Sequence, residues 1–139
     1  MKVIALVSCV SRKQTIASPA KDLYQSDWFK KARAYVEQNH WPWYILSAQH
    51  GLLSPDQVIT PYERTLKLLP VQDRRKWADG VFHQITDIAT LPCCLKIFSG
   101  QAYREHLSER LQECGYQIDV PLLGLGIGKQ LSWLKSQLN

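Results

Sequence analysis

Short apolar runs recur along the chain, and four of them have the composition of buried strands. They are rich in β-branched and aromatic side chains and are bounded by Gly, Pro or polar residues. The pattern predicts strands over residues 2–8, 43–48, 93–98 and 116–120. Near-continuous apolar runs are typical of strands that are covered on both faces.

The segments between these runs carry apolar residues at the three- to four-residue spacing of an amphipathic helix. This spacing predicts helices over residues 20–38, 71–89, 101–114 and 129–138. Strand and helix therefore alternate four times. The alternation predicts a single-domain α/β fold over residues 1–139, in three layers: a mainly parallel, four-stranded sheet with helices on both faces.

Length and composition fit one domain without a membrane-spanning segment. The chain has 139 residues, of which 45% are hydrophobic, enough for one core and too few for two. No apolar run approaches the ~20 residues needed to cross a bilayer, and the short apolar run after Lys2 lacks a signal-peptide cleavage site. We expect a cytoplasmic protein that does not bind membranes.

The four cysteines include no C-x-x-C pair, so a zinc site or a disulfide framework is not expected. We expect no metal and no cofactor. Cys93, Cys94 and Cys114 are interpreted as core residues, because cysteine packs as a small hydrophobe. Cys9 is the exception, because it follows the first predicted strand directly.

The net charge of +5 favours a partner that bears phosphate. Many nucleotide enzymes and many other soluble domains are equally basic, and a run of Lys and Arg is often a solvated helix face.

The loops that follow parallel strands meet at one edge of the sheet, where open α/β folds bind ligands. Cys9 and Lys13 lie in the first of these loops and could supply a thiolate nucleophile and a cation. His50 follows the second strand and could donate or accept a proton. Glu63 is the best-placed candidate for a general base in the same long loop. The alternatives are a structural histidine and a surface Glu/Arg pair.

The same loops hold candidate substrate-binding residues. Tyr62 and Tyr103 could stack on a nucleobase. The glycine-rich run at residues 124–129 could approach a phosphate with its backbone N–H groups, although it is not a P-loop and could equally be a tight strand-to-helix turn. The full set of substrate-binding candidates is Ser47, Tyr62, Ser99, Gly100, Tyr103, Gly126, Gly128 and Lys129.

Several motifs give the chain a family resemblance. The segments Leu46-Ser-Ala48 with His50-Gly51-Leu52, Thr60-Pro61-Tyr62, and Gly124-Leu-Gly-Ile-Gly128 resemble, together with Cys9 and Lys13, a small bacterial and phage family of unknown function. Ser18-Pro-Ala-Lys21 and Pro61-Tyr62 are also similar to segments of the YaaA-like peroxide-stress proteins, although His50 replaces a tyrosine of that family.

The spacing of Cys9 and Lys13 resembles the PCSxxKPY motif of archaeosine synthase, which acts on a base in transfer RNA. These resemblances imply chemistry on nucleic-acid bases, and the small α/β outline also suits a uracil-DNA-glycosylase-like fold. We therefore expect an enzyme that acts on a nucleobase or nucleoside, by glycosidic-bond cleavage or base modification, with DNA favoured over RNA as the partner. The alternative is a non-catalytic DNA- or nucleotide-binding module of a stress-response or phage-related system.

Overall fold

The computed structural model describes residues 1–8 and 13–139 of the chain. The strands are β1 (Lys2–Ser8), β2 (Ser18–Pro19), β3 (Trp43–Ser47), β4 (Gly51–Leu53), β5 (Val58–Ile59), β6 (Cys93–Phe98) and β7 (Gln117–Asp119). The α-helices are α1 (Ala20–Leu23), α2 (Asp27–Gln38), α3 (Val71–Ile88), α4 (Gln101–Arg104), α5 (Ser108–Glu113) and α6 (Ile127–Gln137). A short 3-10 turn covers Leu66–Leu68.

The main sheet has five strands in the order β4-β3-β1-β6-β7. β3, β1, β6 and β7 pair in parallel, whereas β4 pairs antiparallel with β3. The α/β class is thus confirmed, but the expected four-stranded sheet is corrected to a mixed, five-stranded one. The additional strand forms because Gly51 adopts a φ of 71°, which turns the chain back along β3 immediately after it ends.

Helices cover both faces of this sheet. In β1, Ala5 and Val7 pack in a core with residues of α1, α2 and α6, while Ile4 and Leu6 pack with residues of α3 and α5. The period of two along a strand explains this division, since successive side chains point to opposite faces. The sequence of β1 is almost continuously apolar because its side chains are buried in a core on each face of the sheet.

Two of the predicted helices are divided in the structure. The segment predicted as a helix over residues 20–38 contains α1 and α2, because Ser26 is extended and its Oγ accepts a hydrogen bond from the Phe29 N–H at 3.1 Å. This N-cap starts a new helix. The segment over residues 101–114 likewise contains α4 and α5. The two other predicted helices differ from α3 and α6 only at their ends.

Two of the three cysteines that we expected in the core are buried, and the third is not. Cys93 and Cys94 are buried in β6, as predicted, but Cys114 is exposed. Cys114 follows the last residue of α5, where the chain turns out of the helix through Gly115 at a φ of 107°. Its position at a helix end, outside the apolar face, explains the exposure.

The strand order places a topological switch point between β1 and β6. The chain leaves β1 through α2 to reach β3 on one side, and it leaves β6 through α4 and α5 to reach β7 on the other side. Two adjacent parallel strands whose connections diverge leave a crevice outside their carboxyl ends. The loop beyond Phe98 borders this crevice.

None of the helices in residues 1–8 and 13–139 combines the length and the apolar character required to cross a membrane.

Candidate functional site

Lys13 is held beside the sheet by the segment that precedes α2. Its backbone forms an antiparallel bridge with Tyr24, and the next residue, Gln14, donates its backbone N–H to the Leu23 carbonyl at 2.7 Å. The Lys13 ammonium lies 4.6 Å from the centre of the Tyr62 ring and 5.9 Å from that of Tyr24. A cation at this distance from an aromatic ring is attracted by the ring's quadrupole.

Three buried hydroxyl groups form a chain next to Lys13. The Tyr62 hydroxyl lies 2.7 Å from the Tyr24 hydroxyl and 2.6 Å from Ser47 Oγ. Ser47 is 0% exposed, Tyr24 1% and Tyr62 8%, so these hydrogen bonds form in a region shielded from water. Ser47 Oγ also accepts a hydrogen bond from the His50 backbone N–H at 3.1 Å.

His50 contacts the same tyrosine ring. The imidazole and the Tyr62 ring meet edge to face, with centres 5.3 Å apart and planes at 86°. Its Nε2 atom is buried and has no hydrogen-bond partner among the residues that the structure describes. A buried polar atom in this state carries a desolvation cost that a bound molecule could remove. We refer to Lys13, Tyr24, Ser47, His50 and Tyr62 as the Tyr62 cluster.

Tyr103 is joined to the Tyr62 cluster through Trp77. The Trp77 indole N–H donates to the Ser47 carbonyl at 2.8 Å, and its ring meets that of Tyr103 edge to face, with centres 5.3 Å apart. Tyr103 packs against the cores on both faces of the sheet. It therefore lies beyond the strand ends, where the two layers of helices meet.

The structure brings together four of the predicted site residues directly, namely Lys13, Ser47, His50 and Tyr62. The cluster combines a cation, an imidazole and hydroxyl groups that share hydrogen bonds. Such a set can hold a negatively charged group and can move protons.

Other predicted site residues lie outside these contacts. Glu63 is exposed. Ser99 and Gly100 precede α4, and Ser99 Oγ donates to the Gly100 carbonyl at 3.1 Å. Gly126, Gly128 and Lys129 are exposed at the start of α6. Cys9, the proposed nucleophile, lies outside the described residues.

Two members of the site were missed in the sequence. Tyr24 and Trp77 both fit the apolar spacing of a predicted helix, which favoured a core position for each. Tyr24 is buried and Trp77 is partly buried. The Tyr24 hydroxyl, however, bonds to that of Tyr62, and the Trp77 indole N–H donates to the Ser47 carbonyl at the end of β3. A phenol or an indole in a core needs a partner for its polar atom, and this requirement is the signal that could have identified them.

Much of the basic surface near the site is compensated by acidic neighbours. Lys21 pairs with Asp56 at 2.8 Å, and Arg33 pairs with Asp22 at 2.9 Å and with Glu37 at 3.2 Å. These residues, except Asp56, line an open cleft of about 570 Å³ that Tyr24 also borders. The hydrogen bond and charge of Asp56 raise the pKa of Lys21. The positive charge is thus less available to a phosphate-bearing partner than the sequence alone indicates.

Within the described part of the chain, no group of three or more His, Cys, Asp or Glu side chains is arranged to hold a metal ion.

A family model described as "Family of unknown function (DUF6884)" matches residues 4–136. The chain belongs to this family. The resemblance to a family of unknown function, expected from the motifs, is confirmed, and DUF6884 covers both the Tyr62 cluster and the glycine-rich run. No curated protein and no solved structure matches the chain. Similarity to the YaaA-like proteins and to archaeosine synthase stays a prediction.

Proposed function

We propose that the protein is an enzyme that acts on a nucleobase or nucleoside, by glycosidic-bond cleavage or by modification of the base. The proposal is supported mainly by one observation: the side chains of Lys13 and His50 both contact the ring of Tyr62. An amine and an imidazole in contact with one buried ring supply charge and proton transfer at one place. These are the two requirements for breaking or remaking a bond to a heterocyclic base.

Each charged side chain has a distinct role in this proposal. Lys13 binds a phosphate or stabilises developing negative charge, and it could act as an amine nucleophile if deprotonated. His50 donates or accepts a proton through Nε2. Glu63 is the candidate for a second base, supplied by its loop, and Cys9 is the candidate thiolate nucleophile.

The switch point between β1 and β6 provides the place for the substrate. Ser99 and Gly100 follow β6 at this point, and Tyr103 lies on the next helix, where its ring could contact a base. Gly126, Gly128 and Lys129 would bind a phosphate of a nucleotide or of a nucleic-acid strand. A base within a duplex would first have to be extruded, which costs a few kcal/mol, so single strands and free nucleosides are the easier substrates.

The test is an assay of the purified protein on nucleosides, deoxynucleosides, nucleotides and single-stranded DNA and RNA, with mass spectrometry to detect a released or altered base. Lys13→Met and His50→Gln should each lower the rate by at least about 100-fold, because each removes charge stabilisation or proton transfer. Lys67→Met and His83→Gln serve as controls, since both positions are exposed and outside the Tyr62 cluster.

Wild-type protein that leaves every substrate unchanged would contradict the proposal. The same holds if the two control variants lose as much activity as the two site variants.

The second candidate is a module that binds DNA or nucleotides without catalysis, in a stress-response or phage-related system. The start of α6 favours it: Gly126 is the N-cap, no side chain caps the helix, and Lys129 is exposed. Binding of a labelled single strand would then weaken steeply with salt, and Lys129→Met would reduce the slope of log K against log [salt] by about one. The enzyme proposal also includes a uracil-DNA-glycosylase-like form of the α/β fold.

A further inference from the structure

The hydroxyl chain Tyr24–Tyr62–Ser47 contains three hydroxyl hydrogens but only two hydrogen bonds between its members. In the neutral chain, one hydroxyl hydrogen is therefore not used in these two bonds. After the loss of one proton, the two remaining hydrogens satisfy both bonds if Tyr24 and Ser47 each donate to the Tyr62 oxygen. Both hydrogen bonds can therefore persist in the singly deprotonated form of the chain.

We propose that Tyr62 is an additional proton-transferring residue of the site, which carries negative charge as a phenolate held by the Tyr24 and Ser47 hydroxyls. The inference rests on the proposed function only for the identity of the molecule that receives the proton. Its physical basis is the position of the Tyr62 oxygen between two hydroxyl groups at 2.7 and 2.6 Å. Hydrogen bonds to a charged acceptor are short and strong.

Other groups around Tyr62 act in the same direction. The Lys13 ammonium, 4.6 Å from the ring centre, supplies the opposite charge. The His50 backbone N–H donates to Ser47 Oγ, and a hydroxyl that accepts a hydrogen bond becomes a better donor. Burial of Tyr62 acts against a phenolate, so its charge requires both hydroxyl donors and the ammonium. The titratable side chains in contact with Tyr62 include Lys13, Tyr24 and His50.

The proton transfer can be written without a redox partner. A basic nitrogen or oxygen atom of the bound molecule takes the outward hydroxyl hydrogen of the chain, and the electron pair of the broken O–H bond stays on the chain. Shifts of hydrogen along the two hydrogen bonds then place the charge on Tyr62. In base release, the proton goes to a ring atom of the departing base, and water forms the new bond at the sugar carbon. The proton that this water loses returns to the chain.

The experiment is a pH titration of the ultraviolet absorbance of tyrosinate in the protein without substrate. The chain has six tyrosines. We expect one of them to ionise at least about one pH unit below the others, as an opposite charge and two donors require. Tyr62→Phe should remove this early step, whereas Tyr44→Phe, the matched control, should leave it in place.

A second set of variants keeps the test decisive if Tyr62→Phe fails to fold. Lys13→Met, Tyr24→Phe and Ser47→Ala each remove one stabilising group, and each should move the early step to higher pH. Absence of an early step in the wild type, or its persistence in folded Tyr62→Phe, would overturn the inference. Because the titration needs no substrate, a protein with an early tyrosinate but no action on bases would overturn the proposed function alone.

Discussion

At the scale of single residues, Ser47 connects three parts of the site. Its Oγ bonds to the Tyr62 hydroxyl and to the His50 N–H, and its carbonyl accepts the Trp77 indole N–H. The residue is fully buried at the last position of β3. Its side chain and backbone therefore connect the loop that carries His50 to the helix that carries Trp77.

Ser47→Ala should destabilise the protein by about 1–3 kcal/mol, because it leaves the Tyr62 hydroxyl and the His50 N–H without this partner in a buried region. Urea denaturation measures the change. Ser132→Ala, at an exposed position of α6, is the control and should alter stability by less than about 0.5 kcal/mol. Equal effects of the two substitutions would show that the buried hydroxyl contributes nothing.

The sequence was informative for residues that directly follow strands. Ser47 and His50 were placed correctly at the edge of the sheet, because the end of an apolar run fixes where its loop opens. Tyr24 was missed because periodicity cannot distinguish a core phenyl ring from a phenol with a polar partner. Such a distinction depends on which atoms the fold brings near its oxygen.

At the scale of secondary-structure elements, the antiparallel strand β4 depends on Gly51. Gly51 has a φ of 71°, and a Cβ atom built at this position would lie 2.5 Å from Gln84 Oε1. This oxygen accepts the Leu52 N–H at 2.9 Å, so Gln84 ties β4 to α3. The positive φ therefore favours glycine, and an added Cβ would displace the Gln84 side chain from its hydrogen bond with Leu52.

Gly51→Ala should cost about 1–3 kcal/mol of stability, because it strains the backbone and displaces Gln84. Gly80→Ala should instead stabilise the protein by up to about 1 kcal/mol, because alanine is the better helix former and Gly80 lies within α3. A Cβ atom added at this position would meet no neighbouring element within 4 Å. Thermal and urea unfolding of both variants provide the comparison. Stabilisation by Gly51→Ala would show that β4 does not depend on the glycine.

The strands of the parallel part of the sheet followed directly from their apolar runs, but β4 could not be predicted from such a run. It has three residues, and its antiparallel pairing follows from a turn through one glycine. The division of the predicted helix over residues 20–38 was equally hidden, because the apolar spacing continues past the Ser26 N-cap. Local hydrogen bonding at Ser26 determines where α2 begins.

At the scale of the whole molecule, two cores share the central strands of one sheet. Cys93 and Cys94, at the start of β6, are 1% and 7% exposed, and burial raises the pKa of both thiols. Because a raised thiol pKa disfavours the reactive thiolate, these two groups should react slowly while the protein is folded. Their reaction then reports on opening of the sheet.

In a Cys9→Ser background, Cys114 should react with a thiol reagent at least about a thousandfold faster than Cys93 and Cys94. Exposure of Cys114 and burial of the other two are the cause. Mass spectrometry of the labelled peptides over time gives the individual rates, and urea should remove the difference. Rapid labelling of Cys93 or Cys94 in the folded protein would contradict the placement of β6 between β1 and β7 in the sheet.

The three-layer arrangement was predictable from the alternation of elements, whereas the position of the switch point was not. Alternation defines which strands are parallel but leaves their order open. The order β3-β1-β6-β7 places the crevice beside β1. The same alternation of strands and helices is compatible with other orders, so the pattern does not select this one.

Both outer strands of the main sheet, β4 and β7, are only three residues long. Unpaired backbone groups at a sheet edge can recruit strands from other molecules, and a short edge offers few of them. A second chain could form only a small number of ladder hydrogen bonds at either side. The brevity of these two strands therefore protects the protein from aggregation through edge-to-edge pairing.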